Sequence, residues 1–381
     1  MLYLPDAFSS TYAQARVKFL EAAAAAGLPT SSHAHPLKGA GNEALAMDVA
    51  RDGPLDAPNL LIISSGCHGA EGFCGSGLQT FALHDAEWLD KARASGTAVL
   101  YIHALNPYGF SHLRRVTHEN VDLNRNFQDF TQPLPVNTAY RALHPLLLPT
   151  HWPPDAANVA AITALIETHG VSAYQSAVTQ GQHEFADGMF YGGHSATWSN
   201  LTLRAVLRQH AQAAQRVAWI DLHTGLGECG VGERIWAGPN DGAAMARARR
   251  WWDGGHVGQV GANDQASTPI TSAYDGSSTS ALLTGMMWQA ITTEAPQAEY
   301  TGIALEYGTQ ALPVVLQTLR AEHWLHQHPE ATPEQSQHIK QQMRDAFYIN
   351  TDTWKGQVIS QARQAMFQAV NGLSQNFEKT G

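Results

Sequence analysis

Asn59-Leu60-Leu61-Ile62-Ile63-Ser64-Ser65-Gly66-Cys67-His68-Gly69-Ala70-Glu71 is the stretch that decides the fold. Its first half is a short, continuous apolar run, the pattern of a strand buried on both faces in a mostly parallel sheet. The run stops at Gly66 and passes into a turn rich in glycine (Gly66, Gly69, Gly72) that carries His68 and Glu71. Small residues there let the backbone approach a buried ion closely. In a chain with 19 histidines and 33 acidic residues, a His and a Glu three apart mean little alone. Their position just beyond a buried strand gives the pair its weight, because ligands of open α/β sheets bind at the carboxyl ends of the strands.

Three further apolar runs have the same form: 99–105, 217–223 and 303–307. The second ends in Asp221-Leu222-His223 and the third in Leu305-Glu306-Tyr307. His68, Glu71 and His223 together supply two imidazoles and one carboxylate. That is the donor set of a catalytic zinc site, with the fourth position open. Asp221 lies two residues before His223, on the same face of a strand. It either accepts the second ring N–H of that histidine or is a plain structural carboxylate. Glu306 closes an apolar strand, where a carboxylate is costly to bury unless paired or functional. Beside zinc it suits a general base that takes a proton from water and passes it to a leaving amine. Cys67 and Cys74 flank the first motif and read as small buried fillers.

Between these runs lies Asn106-Pro107-Tyr108-Gly109-Phe110, a turn by composition. Arg114-Arg115 follows, and then Val121-Asp122-Leu123-Asn124-Arg125-Asn126-Phe127. An arginine grips a carboxylate bidentately, and an asparagine can add a hydrogen bond. Gln182-His183-Glu184 could rim the pocket but reads better as loop.

Outside the motifs, residues 9–26 predict a helix, capped at Ser9 or Ser10 and ended by Gly27. Residues 37 and 44–50 suggest a strand pair, and 77–93 a helix. The stretch 131–193 reads as a loop-rich excursion, with six prolines between 133 and 154. Thr332, Pro333 and Gln335 form a capping-box start to C-terminal helices covering about 332–375. At 381 residues and 44% hydrophobic, the whole chain, 1–381, is expected to be one large α/β domain. The net charge of −10 and the absence of a basic cluster argue against nucleic acid as partner. No apolar run reaches about 18 residues, so no membrane span is expected. Three cysteines give no disulfide framework. With no signal-like start at Met1-Leu2-Tyr3-Leu4, a cytoplasmic protein is expected. The oligomeric state is not readable.

Taken in order, His68-Gly69-Ala70-Glu71, Asn106-Pro107-x-Gly109, 121–127, Asp221-x-His223 and Glu306 resemble the zinc carboxypeptidase superfamily of carboxypeptidase A/B type. The likeness is to a bacterial branch of uncharacterised function sharing Asn-Pro-Tyr-Gly-Phe, the Arg-Arg pair and Tyr191-Gly192-Gly193. More distantly it extends to the arm of aspartoacylases and succinylglutamate desuccinylases. The matching pieces span about residues 60–310. The resemblance implies a three-layer α/β/α fold with a mixed, largely parallel sheet. It implies one zinc ion on His68, Glu71 and His223, and Glu306 as base. Asn124 and Arg125 would hold a substrate carboxylate. Arg115, or failing it Arg114, would polarise the scissile carbonyl, since only one of the two can point inward. Tyr274 is the candidate for a mobile substrate-binding tyrosine. The implied activity is a metallocarboxypeptidase-like hydrolase cleaving a peptide or amide bond next to a free carboxylate. Two alternatives stand beside it: an N-acyl-amino-acid deacylase, and a non-catalytic binding protein on a peptidase scaffold.

Overall fold

The computed structural model describes residues 4–253 and 269–375. Among them, eight strands form one sheet: β1 (Thr30–Lys38), β2 (Ala44–Asp52), β3 (Asn59–Ser65), β4 (Thr97–His103), β5 (Arg216–Cys229), β6 (Gly232–Trp236), β7 (Ile270–Thr271) and β8 (Glu299–Gly308). Their spatial order is β1-β2-β4-β3-β5-β8-β6-β7. β3 runs parallel to β4 and β5, β5 to β8, and β6 to β7. β1/β2, β2/β4 and β6/β8 are antiparallel. The sheet is therefore mixed and mostly parallel, as expected.

β3 and β4 are buried along their whole lengths, which is why their sequences are continuously apolar. Alternate side chains feed two cores. Leu61, Ile63, Val99, Tyr101, Ala218 and Ile220 pack with helices Tyr12–Ala25, Gly72–His84 and Asp352–Ser374 on one face. Leu60, Ile62, Ala98, Leu100, Val217 and Trp219 pack with helix Trp198–Ala211 and helix Gln289–Glu294 on the other. This makes three layers, α/β/α. β1 lies at the sheet edge and is mostly exposed, with Thr30, Ser31, Ser32, His33 and Lys38 along it. The chain goes from β3 to β4 on one side and later returns to β5 on the other. The carboxyl ends of β3 and β5 thus flank a topological switch point, where such sheets bind ligands.

Several local expectations need correction. The first helix begins at Tyr12, and its cap is Thr11, whose hydroxyl accepts from Gln14 N. The helix expected over 77–93 is two helices, Gly72–His84 and Ala86–Ala94, because Asp85 leaves the helix and caps the second through Trp88 N. Asn106-Pro107-Tyr108-Gly109-Phe110 is not a bare turn: Asn106 caps a short helix, Pro107–Ser111, that has proline in its first turn. The stretch 131–193 carries three helices, Thr138–Leu147, Ala156–His169 and Val171–Thr179. Asn137 and Asp155 cap the first two through their side chains. Pro149, Pro153 and Pro154 fall between helices, whereas Pro145 sits within one. The first C-terminal helix, Pro333–Phe347, begins where expected, with Thr332 accepting from Gln335 N, and a second, Asp352–Ser374, completes the expected helical span. Among the described residues no helix is long and apolar enough to cross a membrane.

Candidate active site

Beyond β3 the chain turns at Gly66 (φ +66°) and enters a single 3-10 turn, Gly69–Glu71, with His68 at its cap position. Only glycine fits at 69: a Cβ there would lie 2.0 Å from Gly109 C and 2.2 Å from Phe110 N, both backbone atoms. That close approach lets Gly69 N donate to Arg115 O (3.0 Å) and Ala70 N to Arg114 O (2.9 Å). The Arg114-Arg115 segment is thereby tied to the turn that carries His68 and Glu71.

The three expected metal-binding side chains converge. His68 Nδ1 lies 2.8 Å from Glu71 Oε1, and His223 Nδ1 lies 2.9 Å from Glu71 Oε2. One donor atom from each of the three lies within 4.8 Å of the others, and all three residues are buried. The second ring nitrogens face carboxylates. His68 Nε2 is 3.4 Å from Asp122 Oδ1, and His223 Nε2 is 2.5 Å from Asp221 Oδ2. Two imidazoles turned on one carboxylate, that of His223 backed by Asp221, fit a divalent metal of zinc type. Burial alone would raise Glu71, but the charge on His68 and hydrogen bonds from His223 and His68 hold it below the usual carboxylate range. Burial would lower His223, yet Asp221 and Glu71 hold it well above an ordinary histidine. Cys67, Asp221 and His223 form a second convergent group. Burial and then the nearby carboxylates push the Cys67 thiol well up, which keeps it protonated and a poor ligand.

Glu306 stands directly opposite His223 in the β5/β8 register. Its Oε1 accepts from Leu226 N at 3.0 Å, and burial together with the charge of Glu71 pushes its carboxyl up to about 8. Arg115 is the arginine that faces the centre. Its Nε donates to Asp122 Oδ2 (2.9 Å), its Nη1 to Glu71 Oε1 (3.2 Å) and its Nη2 to His68 Nε2 (2.8 Å). Arg114 points the other way, to Glu322 Oε1 (2.8 Å) and Asn120 Oδ1 (3.0 Å). Leu113, just before the pair, is in the left-handed region at φ +50°.

Arg125 is buried and held from several sides. Its Nε and Nη2 donate to Thr179 O, and its Nη1 donates to Asn124 O at 3.2 Å and to Asp122 Oδ1 at 3.4 Å. Asn124 Oδ1 accepts from Met287 N at 3.0 Å. All seven of these residues (His68, Glu71, Arg115, Asn124, Arg125, His223 and Glu306) line one solvent-open cavity. Its remaining walls are uncharged and largely apolar, including Phe190, Leu226, Ile235, Met286, Ala304, Leu316 and Phe347. Tyr274 is not among the lining residues; its hydroxyl donates to Gly238 O at 3.0 Å. His183 and Glu184 are not brought there either. The former contacts Gly193 O and the latter pairs with Arg141.

Two participants escaped the sequence reading. Asp122 is fully buried and joins His68, Arg115 and Arg125. Burial would raise it, but the charges of Arg125 and Arg115 hold it well below the ordinary range. A signal existed: an acid enclosed by Val121 and Leu123, two residues before Asn124. Phe190 lies beneath both arginines, and nothing local in Gly188-Met189-Phe190-Tyr191 announces it.

A family profile described as "Protein of unknown function (DUF2817)" matches residues 8–361. No curated protein matches in sequence. Among solved structures, the chain is similar to bovine thrombin-activatable fibrinolysis inhibitor, solved in complex with tick carboxypeptidase inhibitor. The TM-score is 0.52 at 9% identity, over 96% of this chain and 98% of that one. It is also similar to carboxypeptidase A from Helicoverpa armigera (TM-score 0.44, 12% identity, 88% of this chain and 74% of that one). An aspartoacylase family protein from Mesorhizobium loti matches at TM-score 0.36 and 14% identity, over 78% of this chain and 66% of that one. The first of these likenesses shows a shared, carboxypeptidase-like fold.

Proposed function

Given that the chain belongs to the DUF2817 family of proteins of unknown function, with the match running from residue 8 to 361, we propose that it is a zinc-dependent hydrolase of amide bonds next to a free carboxylate. The observation that carries this reading is the meeting, in one cavity, of the His68, Glu71 and His223 donors with Glu306, Arg115 and Arg125. His68, Glu71 and His223 would hold the metal. A bound zinc ion would polarise the substrate carbonyl and a water molecule, and its charge would draw Glu306 down into the range of a working base. Asn124 and Arg125 bind the substrate carboxylate and so fix which amide bond is presented. Arg115 stabilises the negative charge that develops on the scissile carbonyl oxygen. Glu306 accepts a proton from the attacking water at its free carboxylate oxygen and delivers it to the departing nitrogen. The apolar walls favour an uncharged side chain on the substrate.

The experiment is a panel of N-blocked dipeptides and N-acyl amino acids, each with its C-terminal amide counterpart, assayed with and without chelator. Hydrolysis of free acids that stops with chelator and returns with zinc is the expected result. Activity on the amides alone would overturn it. The relative rates on dipeptides and N-acyl amino acids separate a carboxypeptidase from a deacylase. The metal assignment is checked independently: about one zinc per chain is expected, and His68→Ala or His223→Ala should lose it by elemental analysis.

A further inference from the structure

Phe190 is buried, and its ring sits under two guanidinium groups at once. Arg115 Cζ is 5.2 Å and Arg125 Cζ 5.4 Å from its centroid. Its backbone lies in the left-handed region at φ +52°, a conformation rare for a bulky residue and retained only where the surroundings impose it. The surroundings here do so. Phe190 O accepts from Gln182 N (3.2 Å), and the next carbonyl, Tyr191 O, accepts from Asp122 N (2.8 Å). The segment that presents the ring therefore also pins Asp122, the carboxylate shared by both arginines. The ring itself belongs to an apolar cluster with Tyr140, Val315 and Leu319, which anchors it from the core. A buried cation, Arg125, and a partly buried one, Arg115, share Asp122, and the negative face of an aromatic ring attracts cations most strongly where water is excluded.

We propose that Phe190 is a positioning residue, a single aromatic platform that sets the spacing and direction of Arg115 and Arg125 toward the two ends of one substrate. This rests on the reading that Arg125 holds the carboxylate and Arg115 serves the scissile carbonyl. Core packing alone would require only an apolar group of similar size. A platform requires π-electron density.

The test replaces Phe190 with mono-, di- and trifluorinated phenylalanine, which nearly keep the shape while draining the ring face, and separately with leucine. Binding of N-acetyl-leucine and of N-acetyl-leucinamide is measured by calorimetry on chelator-treated protein, so no hydrolysis is needed. kcat and KM are measured on zinc-loaded protein. Preference for the acid over the amide is expected to fall stepwise with fluorination, reaching roughly a 2- to 30-fold loss in the leucine variant. kcat should fall alongside as Arg115 loses its support. Zinc content and melting temperature of the fluorinated proteins should match wild type. A flat response to fluorination overturns the platform while leaving the carboxylate clamp intact. Failure of the wild-type protein to prefer the acid overturns the clamp reading, and the platform with it.

Discussion

Glu306 and Arg125 do separable jobs in the proposed reaction, and single substitutions distinguish them. Glu306→Gln preserves size and can still accept from Leu226 N, but it cannot take a proton. General acid–base catalysis contributes typically about 10²–10⁴-fold, so a loss of that order in kcat is expected with zinc content unchanged. Turnover close to wild type would place the base elsewhere. Arg125→Ala should discriminate between substrates. Hydrogen bonds to charged groups contribute about 1.5–3 kcal/mol, so kcat/KM should fall about 10- to 150-fold more for a free acid than for its amide. Equal losses on both would point to an endo-acting or other amidase. At this scale the sequence was informative wherever an ionisable residue ended an apolar strand, as at His223 and Glu306. It was silent where a role depends on a long-range meeting. Phe190 carries no polar side-chain atom, and its partners Arg125 and Arg115 lie far earlier in the chain. Arg114 and Arg115 are chemically alike and adjacent. Only the packing of Glu322 against the first leaves the second to the cavity.

Elements were legible to the extent that their own residues decide them. β3, β4, β5 and β8 follow from apolar runs, and the helix Pro333–Phe347 follows from its capping box. The break at Asp85 was missed because a carboxylate inside a helical pattern reads equally well as surface or as cap. The three helices within 131–193 were missed because prolines outweighed the capping residues Asn137 and Asp155. Gly69 and Gly356 show how an element's setting determines the outcome of the same substitution. At Gly69 a methyl group would collide with the backbone of the helix Pro107–Ser111, so two segments must move. Overpacking of this kind typically costs about 1–3 kcal/mol. Because the displaced turn carries His68 and Glu71, Gly69→Ala should also weaken zinc retention in a chelator competition. Gly356 lies inside the helix Asp352–Ser374 with open space around its Cβ position. There alanine should stabilise by about 0.5–1 kcal/mol through helix propensity, read as a higher urea midpoint with activity unchanged. If Gly69→Ala behaved like Gly356→Ala, close packing of the turn on Gly109 would not be what holds the metal-binding loop.

Across the whole molecule, the site draws on residues from 68 to 306, and the C-terminal helices brace it from behind. The brace is a buried charge cluster. Glu322, on helix Leu312–Gln327, is wholly inaccessible, and its Oε1 receives both Arg114 Nε and Lys340 Nζ at 2.8 Å. Arg114 O in turn accepts from Ala70 N in the metal-binding turn. Burial would raise the Glu322 carboxyl, but Arg114 and Lys340 hold it below the usual range. Removing one partner of a buried pair leaves the other charge uncompensated, at a cost of about 3–5 kcal/mol. Glu322→Gln should therefore lower the unfolding free energy by about that much at pH 7, as measured by urea denaturation. The pH dependence has a definite sign. A carboxyl depressed in the folded state stabilises fully above its unfolded pKa, near 4.3 for Glu. That contribution fades as the pH falls below this value toward the folded one. The gap between wild type and Glu322→Gln should thus be constant from pH 7 to about 5 and narrow below about 4. A gap that stayed constant down to about pH 3 would mean that the loss arises from packing around the substituted amide and not from the missing charge of Glu322.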